Sequence, residues 1–285
     1  MIFHIYNIYN RNKFFNFFLK NLFINDKIYN YQWENAKKGV LYNMKKYTKP
    51  YYGPNNYFSA IKFFSVGVLG LIAFMFSIKH EEINSYVAYF ILFISILFMV
   101  NGIRIINFIF VGRFKHINRI ISKVNWTGNE KVLDVGVGKG ILAIAVAKKL
   151  KKGSGKVTGI DIWHTEDIMD KTKYYVNQNI ELEGVSDKVK VKTQNASALS
   201  FKDETFDVIL SKQCIHNIEC AQDRKMAIEE MIRVLKPGGR LIISDSMYVD
   251  EYEKILLDKG LKASVSSKYF LGTYPASRIL EATKR

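Results

Sequence analysis

Two long uncharged stretches near the start of the chain constrain its fold more than any other feature. Residues 63–78 contain no charged side chain, and residues 83–103 contain none either. A helix needs about 20 apolar residues to cross a bilayer. The first stretch approaches this length when residues 58–61 are added and Lys62 extends its ammonium group towards the interface. We therefore predict a transmembrane hairpin of two helices over residues 58–112.

The charges around these stretches predict how the hairpin is oriented. The connection, residues 79–82, is only four residues long, so both outer ends lie on one side of the membrane. Residues 1–62 carry ten Lys or Arg and two acids, and more basic residues follow the second stretch, whereas the connection holds one Lys and two Glu. The positive-inside rule then predicts that both ends are cytoplasmic. The alternative is a buried hairpin of a soluble protein, which two adjacent uncharged runs disfavour.

The net charge of +16 does not by itself indicate a nucleic-acid partner. Half of the surplus lies in residues 1–62, next to the apolar stretches, where attraction to anionic lipid headgroups accounts for it. We therefore expect no nucleic acid, a membrane, and a small-molecule or lipid-like substrate as partners. Residues 1–57 are basic and rich in Asn and aromatic residues, and we expect a poorly ordered N-terminal segment there.

From residue 113 onward, short apolar strands alternate with helical segments. The predicted strands are residues 131–135, 156–161, 189–193, 206–211, 240–244, 262–267 and 278–283. The predicted helices are residues 141–151, 165–183, 221–235 and 248–259. This alternation predicts an α/β fold with a doubly wound, mostly parallel sheet that ends in an antiparallel hairpin. Residues 113–285 are therefore expected to form the catalytic domain.

A glycine-rich turn follows the first predicted strand, Val132–Val135. Its three glycines stand at alternate positions, Gly136, Gly138 and Gly140. Missing side chains let the backbone approach a ligand closely, and the next helix offers unpaired N–H groups. The dinucleotide fingerprint requires a small residue where Ile141 stands, and a phosphate-binding P-loop requires Ser or Thr after Lys139, where glycine stands. The turn therefore fits neither motif.

Residues 115–285 resemble the class I S-adenosylmethionine-dependent methyltransferases. The strand with its acid and glycine-rich turn is similar to the family's cofactor motif, and "RVLKPGGRLIISD", Arg233 to Asp245, is similar to its helix-to-strand corner. The resemblance implies a seven-stranded, Rossmann-like sheet and an enzyme whose cofactor is S-adenosyl-L-methionine. Within the family, the catalytic half is most similar to small-molecule, lipid and quinone methylases.

The resemblance also implies roles for residues at the strand ends. Asp134 would face the methionine end of the cofactor, and Asp161 would bind both ribose hydroxyls, because a carboxylate accepts two donors. Ile162 and Trp163 would flank the adenine. The pair Asn195–Ala196 stands where the family carries Asp-Ala, and an Asn carbonyl can accept the adenine amino group. The expected cofactor-binding residues are Asp134, Gly136, Gly138, Gly140, Asp161, Ile162, Asn195, Ala196 and Ser211.

The residues after the fourth predicted strand constrain the methyl acceptor only weakly. The Asp/Asn-Pro-Pro-aromatic element with which resembling enzymes hold an amide or a base amine is missing from the sequence, which disfavours methylation of DNA amines and protein glutamine. His216 is a candidate general base, because its unperturbed pKa suits proton removal near neutral pH. A histidine without catalytic duty is the alternative. No metal-ligand set is evident in the sequence, so we expect no metal.

These observations predict methyl transfer from S-adenosylmethionine to a small acceptor that is apolar or membrane-borne. Because the sulfonium is already a strong electrophile, alignment of acceptor and methyl carbon supplies much of the rate. The motifs begin at Lys131, so the hairpin is expected to serve location and acceptor supply rather than chemistry. Two alternatives stay open: a non-catalytic membrane sensor that binds S-adenosylmethionine, and a membrane-tethered RNA or protein methyltransferase.

Overall fold

A computed structural model of the chain describes residues 48–52, 57–79, 84–163, 171–270 and 272–285. Most of the predicted N-terminal segment, 1–57, lies outside the described residues, as do most of the hairpin connection and the start of the predicted helix 165–183. The three predicted domain boundaries stay predictions.

Two long apolar helices open the described structure. Helix α1 spans Tyr57–Ser77, and helix α2 spans Ser85–Asn107, with the Asn84 side chain accepting a hydrogen bond from the N–H of Tyr86. Helix α2 runs without a break through a π-helical segment, Phe108–Gly112, into helix α3, Arg113–Ile121. One continuous helical rod therefore leads from the apolar hairpin into the domain that follows.

The hairpin leaves its apolar side chains largely uncovered. By length and composition, residues 58–77 and 85–121 form helices that qualify as membrane spans, yet only 11% and 17% of their most apolar windows are buried. Leu69 is 65% exposed and Phe90 63%. The core helix of a soluble protein buries its apolar face instead. The buried-hairpin alternative is therefore disfavoured.

The strands that follow α3 form one seven-stranded sheet. They are β1 (Lys131–Val135), β2 (Lys156–Asp161), β3 (Val189–Thr193), β4 (Phe206–Lys212), β5 (Leu235–Asp245), β6 (Lys262–Val265) and β7 (Arg278–Thr283). Their order is β3-β2-β1-β4-β5-β7-β6; β1 to β5 run parallel, and β7 pairs antiparallel with β5 and β6. The predicted doubly wound sheet with a final antiparallel hairpin is thus confirmed.

Helices cover both faces of this sheet. They are α4 (Ile141–Lys149), α5 (Lys171–Leu182), α6 (Ala221–Val234) and α7 (Val249–Asp258). Val132 of β1 packs in one apolar cluster with side chains of α3, α4 and α5, and its neighbour Leu133 packs in the other with side chains of α6 and α7. The alternation of faces follows from the two-residue period of a strand. In α3, the side chains of Ile117, Ile120 and Ile121, at i, i+3 and i+4 spacing, are buried.

Strand β5 is longer than the sequence predicts. Helix α6 ends at Val234, and Leu235 already pairs with Phe206 of β4. The pairing is then interrupted across the Pro-Gly-Gly corner and resumes where Arg240 pairs with Val208. Because proline cannot donate a ladder hydrogen bond, the corner bulges out of an otherwise continuous strand.

The hairpin and the α/β domain contact each other at several points. Ala60, Ile105 and Ile109 form a small buried cluster against which Tyr274, from the β6–β7 connection, packs. The guanidinium of Arg104 donates to a carbonyl of the same connection, 3.3 Å away. The hairpin is therefore packed against the domain rather than merely tethered to it.

Candidate active site

A cavity of about 310 Å³ opens at the carboxyl edge of the sheet. It is lined by residues 134–139, 141–142, 160–162, 194–196, 212–214 and 217–218. These segments follow β1, β2, β3 and β4. The strand order reverses between β1 and β4, and open α/β sheets bind ligands in the crevice at such a switch point. The volume lies within the range of about 300–1,000 Å³ typical of small-molecule sites.

The glycine-rich turn forms one wall of the cavity. The N–H groups of Gly136 and Val137 both donate to the carbonyl of Ile160, at 2.9 Å, which ties the turn to β2. Gly138 has φ +50°, and no heavy atom lies within 4 Å of the place where its Cβ would stand. The turn therefore presents bare backbone to the cavity, as the close approach of a ligand requires.

Asp161 stands at the end of β2 and is held by the backbone on both sides. One carboxylate oxygen accepts from the N–H of Gly138 at 2.9 Å, and the other accepts from the N–H of Trp163 at 3.0 Å. A carboxylate has about four lone-pair sites, so each oxygen retains capacity for one more donor. This geometry suits the two hydroxyl groups of a ribose.

Asp134, in β1, is buried beneath the turn and is only 1% exposed. Its Oδ2 atom has no hydrogen-bond partner among the residues that the structure describes. Burial raises the pKa of this carboxyl to about 7, and a backbone hydrogen bond from Ala143 opposes the shift. The nearby ammonium group of Lys212 also opposes the shift. A buried carboxyl on a cavity wall with an oxygen that makes no hydrogen bond is a partner for a cationic ligand. The ammonium group of S-adenosylmethionine fits this position.

The adenine side of the cavity agrees only in part with the expectation. Ile162, Asn195 and Ala196 line the cavity. The carbonyl oxygen of Asn195, however, already accepts from the N–H and the hydroxyl of Ser197, at 3.0 and 2.9 Å. A carbonyl has two lone pairs, so Asn195 can offer a ligand its amide N–H donors instead of its carbonyl oxygen. Trp163 does not flank the cavity: it is buried in the core and donates to the hydroxyl of Thr193 at 2.8 Å.

Three predicted site residues lie off the cavity wall. Gly140 begins α4 with φ +85°, and a Cβ there would lie 2.8 Å from Val176 of α5, so helix packing explains this glycine. Ser211 is fully buried, and its hydroxyl donates to the carbonyl of Val135 at 2.9 Å. Gly140 and Ser211 therefore contribute to packing and hydrogen bonding around the turn and do not line the cavity. The third is His216.

His216 lies in a single 3₁₀ turn, Ile215–Asn217, beside the cavity. Its Nδ1 atom is 2.5 Å from one carboxylate oxygen of Asp245, and its main-chain N–H donates to the other at 3.1 Å. Asp245 is fully buried at the end of β5. The imidazole and this carboxylate are at ion-pair distance, although Nδ1 makes no hydrogen bond of acceptable geometry within the described residues. The catalytic role of His216 stays a prediction.

The structure adds cavity residues that sequence reasoning missed. Lys139, Lys212, Gln213 and Asn217 all line the cavity. Lys212 extends β4 by one residue beyond its predicted end, and burial lowers the pKa of its ammonium group. The sequence already shows Lys212 directly after the apolar run of this strand, and this position next to the predicted site could have identified it. Within the described ranges, no group of three or more His, Cys, Asp or Glu side chains is placed to hold a metal ion.

Comparisons with known proteins agree with this site. Residues 133–243 match the family described as "Methyltransferase domain". The demethylmenaquinone methyltransferase of Lactiplantibacillus plantarum is 32% identical over 149 residues, which are 52% of this chain and 59% of that protein. The sarcosine/dimethylglycine N-methyltransferase of Aphanothece halophytica is 28% identical over 151 residues, 53% of this chain and 50% of that protein. The crystal structure of the YcgJ protein from Bacillus subtilis shares the fold, with TM-score 0.50 and 16% identity over 60% of this chain and 98% of that one.

The match over residues 133–243, together with the fold, supports a class I S-adenosylmethionine-dependent methyltransferase domain. The predictions of an enzyme and of S-adenosylmethionine as its cofactor are confirmed. The chain spans less than two thirds of the length of either relative, and the two relatives are named for different acceptors. The methyl acceptor is therefore not specified by these comparisons.

Proposed function

We propose that the protein transfers a methyl group from S-adenosylmethionine to a small, apolar acceptor at the surface of a membrane. The observation that carries this proposal is the continuous helical rod from Ser85 to Ile121, which joins an uncovered apolar hairpin to a cofactor-binding domain. Because the rod is unbroken, the site is held at a fixed distance from the apolar hairpin. A soluble acceptor gains nothing from such an arrangement.

The junction between rod and domain is rigid. His116 of α3 is buried, and its Nε2 atom lies 2.6 Å from the hydroxyl of Ser244 in β5. Ile117 and Ile120 of the same helix pack in the core of the domain. The helix that leaves the hairpin is therefore part of the domain core, which fixes the domain relative to the hairpin.

The residues of the cavity suit two separate roles, binding of the cofactor and alignment of the acceptor. S-adenosylmethionine, when bound, supplies an electrophilic methyl group, so the protein has mainly to align the acceptor with it. Asp134 and Asp161 suit the amino-acid and ribose ends of the cofactor. Lys212 and His216 lie on the β4 and β5 side, where the acceptor would stand. His216, at ion-pair distance from Asp245, is the candidate for removing a proton from the acceptor.

The proposed acceptor is a quinone-like or other lipid-like molecule. Relatives named for demethylmenaquinone methylation support this class. An apolar molecule of this kind partitions into the bilayer, where the uncovered hairpin would also lie. The distribution of charge supports a cytoplasmic location for both ends of the hairpin and for the methyltransferase domain.

The orientation has a direct test in intact cells. A cysteine introduced as His80→Cys, in the hairpin connection, should react with an impermeant thiol reagent added outside. The native Cys220 is exposed on the domain surface and serves as the internal control, because it should stay unlabelled until the cells are lysed. Labelling of Cys220 from outside would reverse the orientation.

The activity is tested with methyl-labelled S-adenosylmethionine and the full chain in nanodiscs. Lipid, quinone and water-soluble fractions of a membrane extract are offered separately, and Asp161→Ala serves as the cofactor-site control. We expect label in the quinone or lipid fraction, and none with the variant. Cofactor binding without transfer to any fraction would favour the sensor, and transfer to RNA or protein would favour a tethered macromolecule methylase.

A further inference from the structure

Residues Tyr51 and Tyr52, which precede the apolar hairpin, lie against the α/β domain. The main-chain N–H of Tyr51 donates to Oδ1 of Asn179 at 2.7 Å, and Nδ2 of Asn179 donates back to the carbonyl of Tyr51 at 2.9 Å. The hydroxyl of Tyr52 donates to Glu183 at 2.6 Å. Three hydrogen bonds therefore connect this segment to α5 and the residue that follows it.

Asn179 also reaches the glycine-rich turn. Its Nδ2 atom donates to the carbonyl of Lys139 at 2.9 Å, as well as to that of Tyr51. Asn179 is only 1% exposed, so both of its amide donors are used where water has no access. One buried side chain thus joins the backbone before the hairpin to the backbone that lines the cofactor cavity.

The side chain of Lys139 makes a second connection between the same parts. Its ammonium group lies 4.2 Å from the ring centre of Tyr51 and 5.1 Å from that of Tyr175. The two rings meet edge to face, with centres 5.1 Å apart. Contacts between a cation and aromatic faces at these distances are attractive. We call Tyr51, Lys139, Tyr175 and Asn179 the tyrosine clasp.

We propose that the tyrosine clasp positions the glycine-rich turn for S-adenosylmethionine, so that cofactor affinity depends on the segment entering the apolar hairpin. The inference rests on the proposed function only in taking this turn as the cofactor site. Tyr51 and Asn179 are then positioning residues: they act through Lys139, which lies between Gly138 and Gly140.

The physical reason is the freedom of that turn. Glycine has more accessible backbone conformations than any other residue, so the turn loses much entropy when a ligand orders it. A segment fixed beforehand in the binding conformation avoids this loss, and affinity rises. Loss of the clasp should therefore weaken cofactor binding by up to about tenfold.

Calorimetric titration of the full chain in nanodiscs with S-adenosylmethionine tests the affinity. Tyr51→Ala removes the ring from Lys139 but keeps the main-chain hydrogen bonds to Asn179, and should raise the Kd about threefold to fivefold. Asn179→Ala removes the amide bridge and should raise the Kd up to about tenfold. Tyr51→Phe keeps the ring and should restore the wild-type value. Tyr52→Phe is the matched control, because it loosens the same segment without touching the turn, and its Kd should stay within about twofold. Equal affinity of Tyr51→Ala and the wild type, with both folded, would overturn the clasp.

Hydrogen exchange without cofactor gives an independent readout. Peptides covering residues 136–140 should exchange faster in Tyr51→Ala and Asn179→Ala than in Tyr52→Phe and the wild type. A merely stabilising contact would lower the melting temperature and leave exchange in the turn unchanged, and this result contradicts the clasp. If the wild type itself failed to bind S-adenosylmethionine, the proposed function would fall, while exchange in the turn would still decide the clasp.

Discussion

The apolar hairpin and the methyltransferase domain contain similar apolar side chains but differ in how far they bury them. Ile144 and Leu150 of the domain are almost fully buried, whereas Leu69 and Phe90 of the hairpin are mostly exposed. Burial of apolar surface is the main favourable contribution to folding. The domain therefore supplies its own apolar interior and the hairpin does not; in the function that we propose, a bilayer would cover the apolar side chains of the hairpin.

The two regions are nevertheless joined by the same rod. Its first part, α2, presents apolar side chains outward, and its last part, α3, presents Ile117 and Ile120 to the core of the domain. The change from exposed to buried apolar side chains thus occurs within one continuous helix. It depends on whether the apolar residues face outward or face the core of the domain. Charges placed in either region should have contrasting effects.

The largest expected effect comes from a charge in the domain core. Ile144→Lys would bury an unpaired ammonium group between helix and sheet, which costs several kcal/mol, and should unfold the domain in any medium. Leu69→Lys places the same charge midway along α1, where a bilayer opposes it by about 2.5–3.5 kcal/mol. It should reduce membrane retention and leave S-adenosylmethionine binding intact. Membrane retention and cofactor binding are measured on both variants. Full retention of Leu69→Lys would contradict the bilayer environment proposed for the hairpin.

The next effect concerns the cofactor end of the domain. Asp161→Ala should weaken S-adenosylmethionine binding by about 1.5–3 kcal/mol, because the ribose loses a charged acceptor for its hydroxyl groups. The variant also removes the acceptor for the N–H of Gly138, so Asp161→Asn, which keeps a carbonyl there, is the matched control. Calorimetry showing wild-type affinity in a folded Asp161→Ala protein would remove this residue from the site.

A smaller, pH-dependent effect follows from Asp134. Burial raises the pKa of this carboxyl to about 7, so it is mostly protonated at pH 6 and mostly ionised at pH 8 in the cofactor-free protein. A cationic cofactor prefers the ionised form, so the affinity should rise by up to about tenfold between these pH values. Asp134→Asn should bind more weakly and lose this dependence. A wild-type affinity that falls with pH would contradict the assignment.

The same group has the opposite effect on stability without cofactor. Because the folded pKa is higher than the unfolded one, the contribution of Asp134 is fully present below about pH 4. It is lost as the pH rises through about 7. Asp134→Asn should therefore melt at a higher temperature than the wild type at pH 8, and the difference should shrink towards pH 5.

The smallest effect distinguishes the two thiols. Burial raises the pKa of Cys214 to about 12, and the nearby acids Asp161, Asp245 and Asp134 add to the shift. Cys220 is exposed. Because the thiolate is the reactive form, alkylation at pH 8 should modify Cys220 first and leave Cys214 unmodified in the folded domain. Mass spectrometry of the peptides measures both sites, and faster modification of Cys214 would contradict the raised pKa of its thiol.

Much of the domain was readable from the sequence because its signals are local. The bounds of β1, β2, β3 and β7 follow from short apolar runs between turn residues. The roles of Asp134 and Asp161 came from the resemblance to the methyltransferase family and stay predictions. Hydrophobic period and turn chemistry act over a few residues, which is the range that such reasoning resolves.

The contacts between regions were not readable, because they join residues far apart in the chain. Tyr51 meets Asn179 across 128 positions, and nothing in the local sequence of either residue indicates the other. The expectation that the hairpin serves location rather than chemistry stays a prediction, and the contacts of Tyr51 with Asn179 could not be foreseen beside it. Ser211 was misassigned similarly: strand register, rather than position after a motif, turns its hydroxyl towards Val135.

The proposed function requires that the acceptor lie in the same membrane as the hairpin, and one measurement tests this requirement most directly. Full-length protein is reconstituted in nanodiscs, and membrane quinone extract is placed either in the same discs or in separate vesicles. With methyl-labelled S-adenosylmethionine, the account predicts an initial rate at least about tenfold higher when acceptor and enzyme share a disc, because a shared bilayer raises their effective concentration. Equal initial rates in the two arrangements, or faster methylation of the water-soluble fraction, would contradict it.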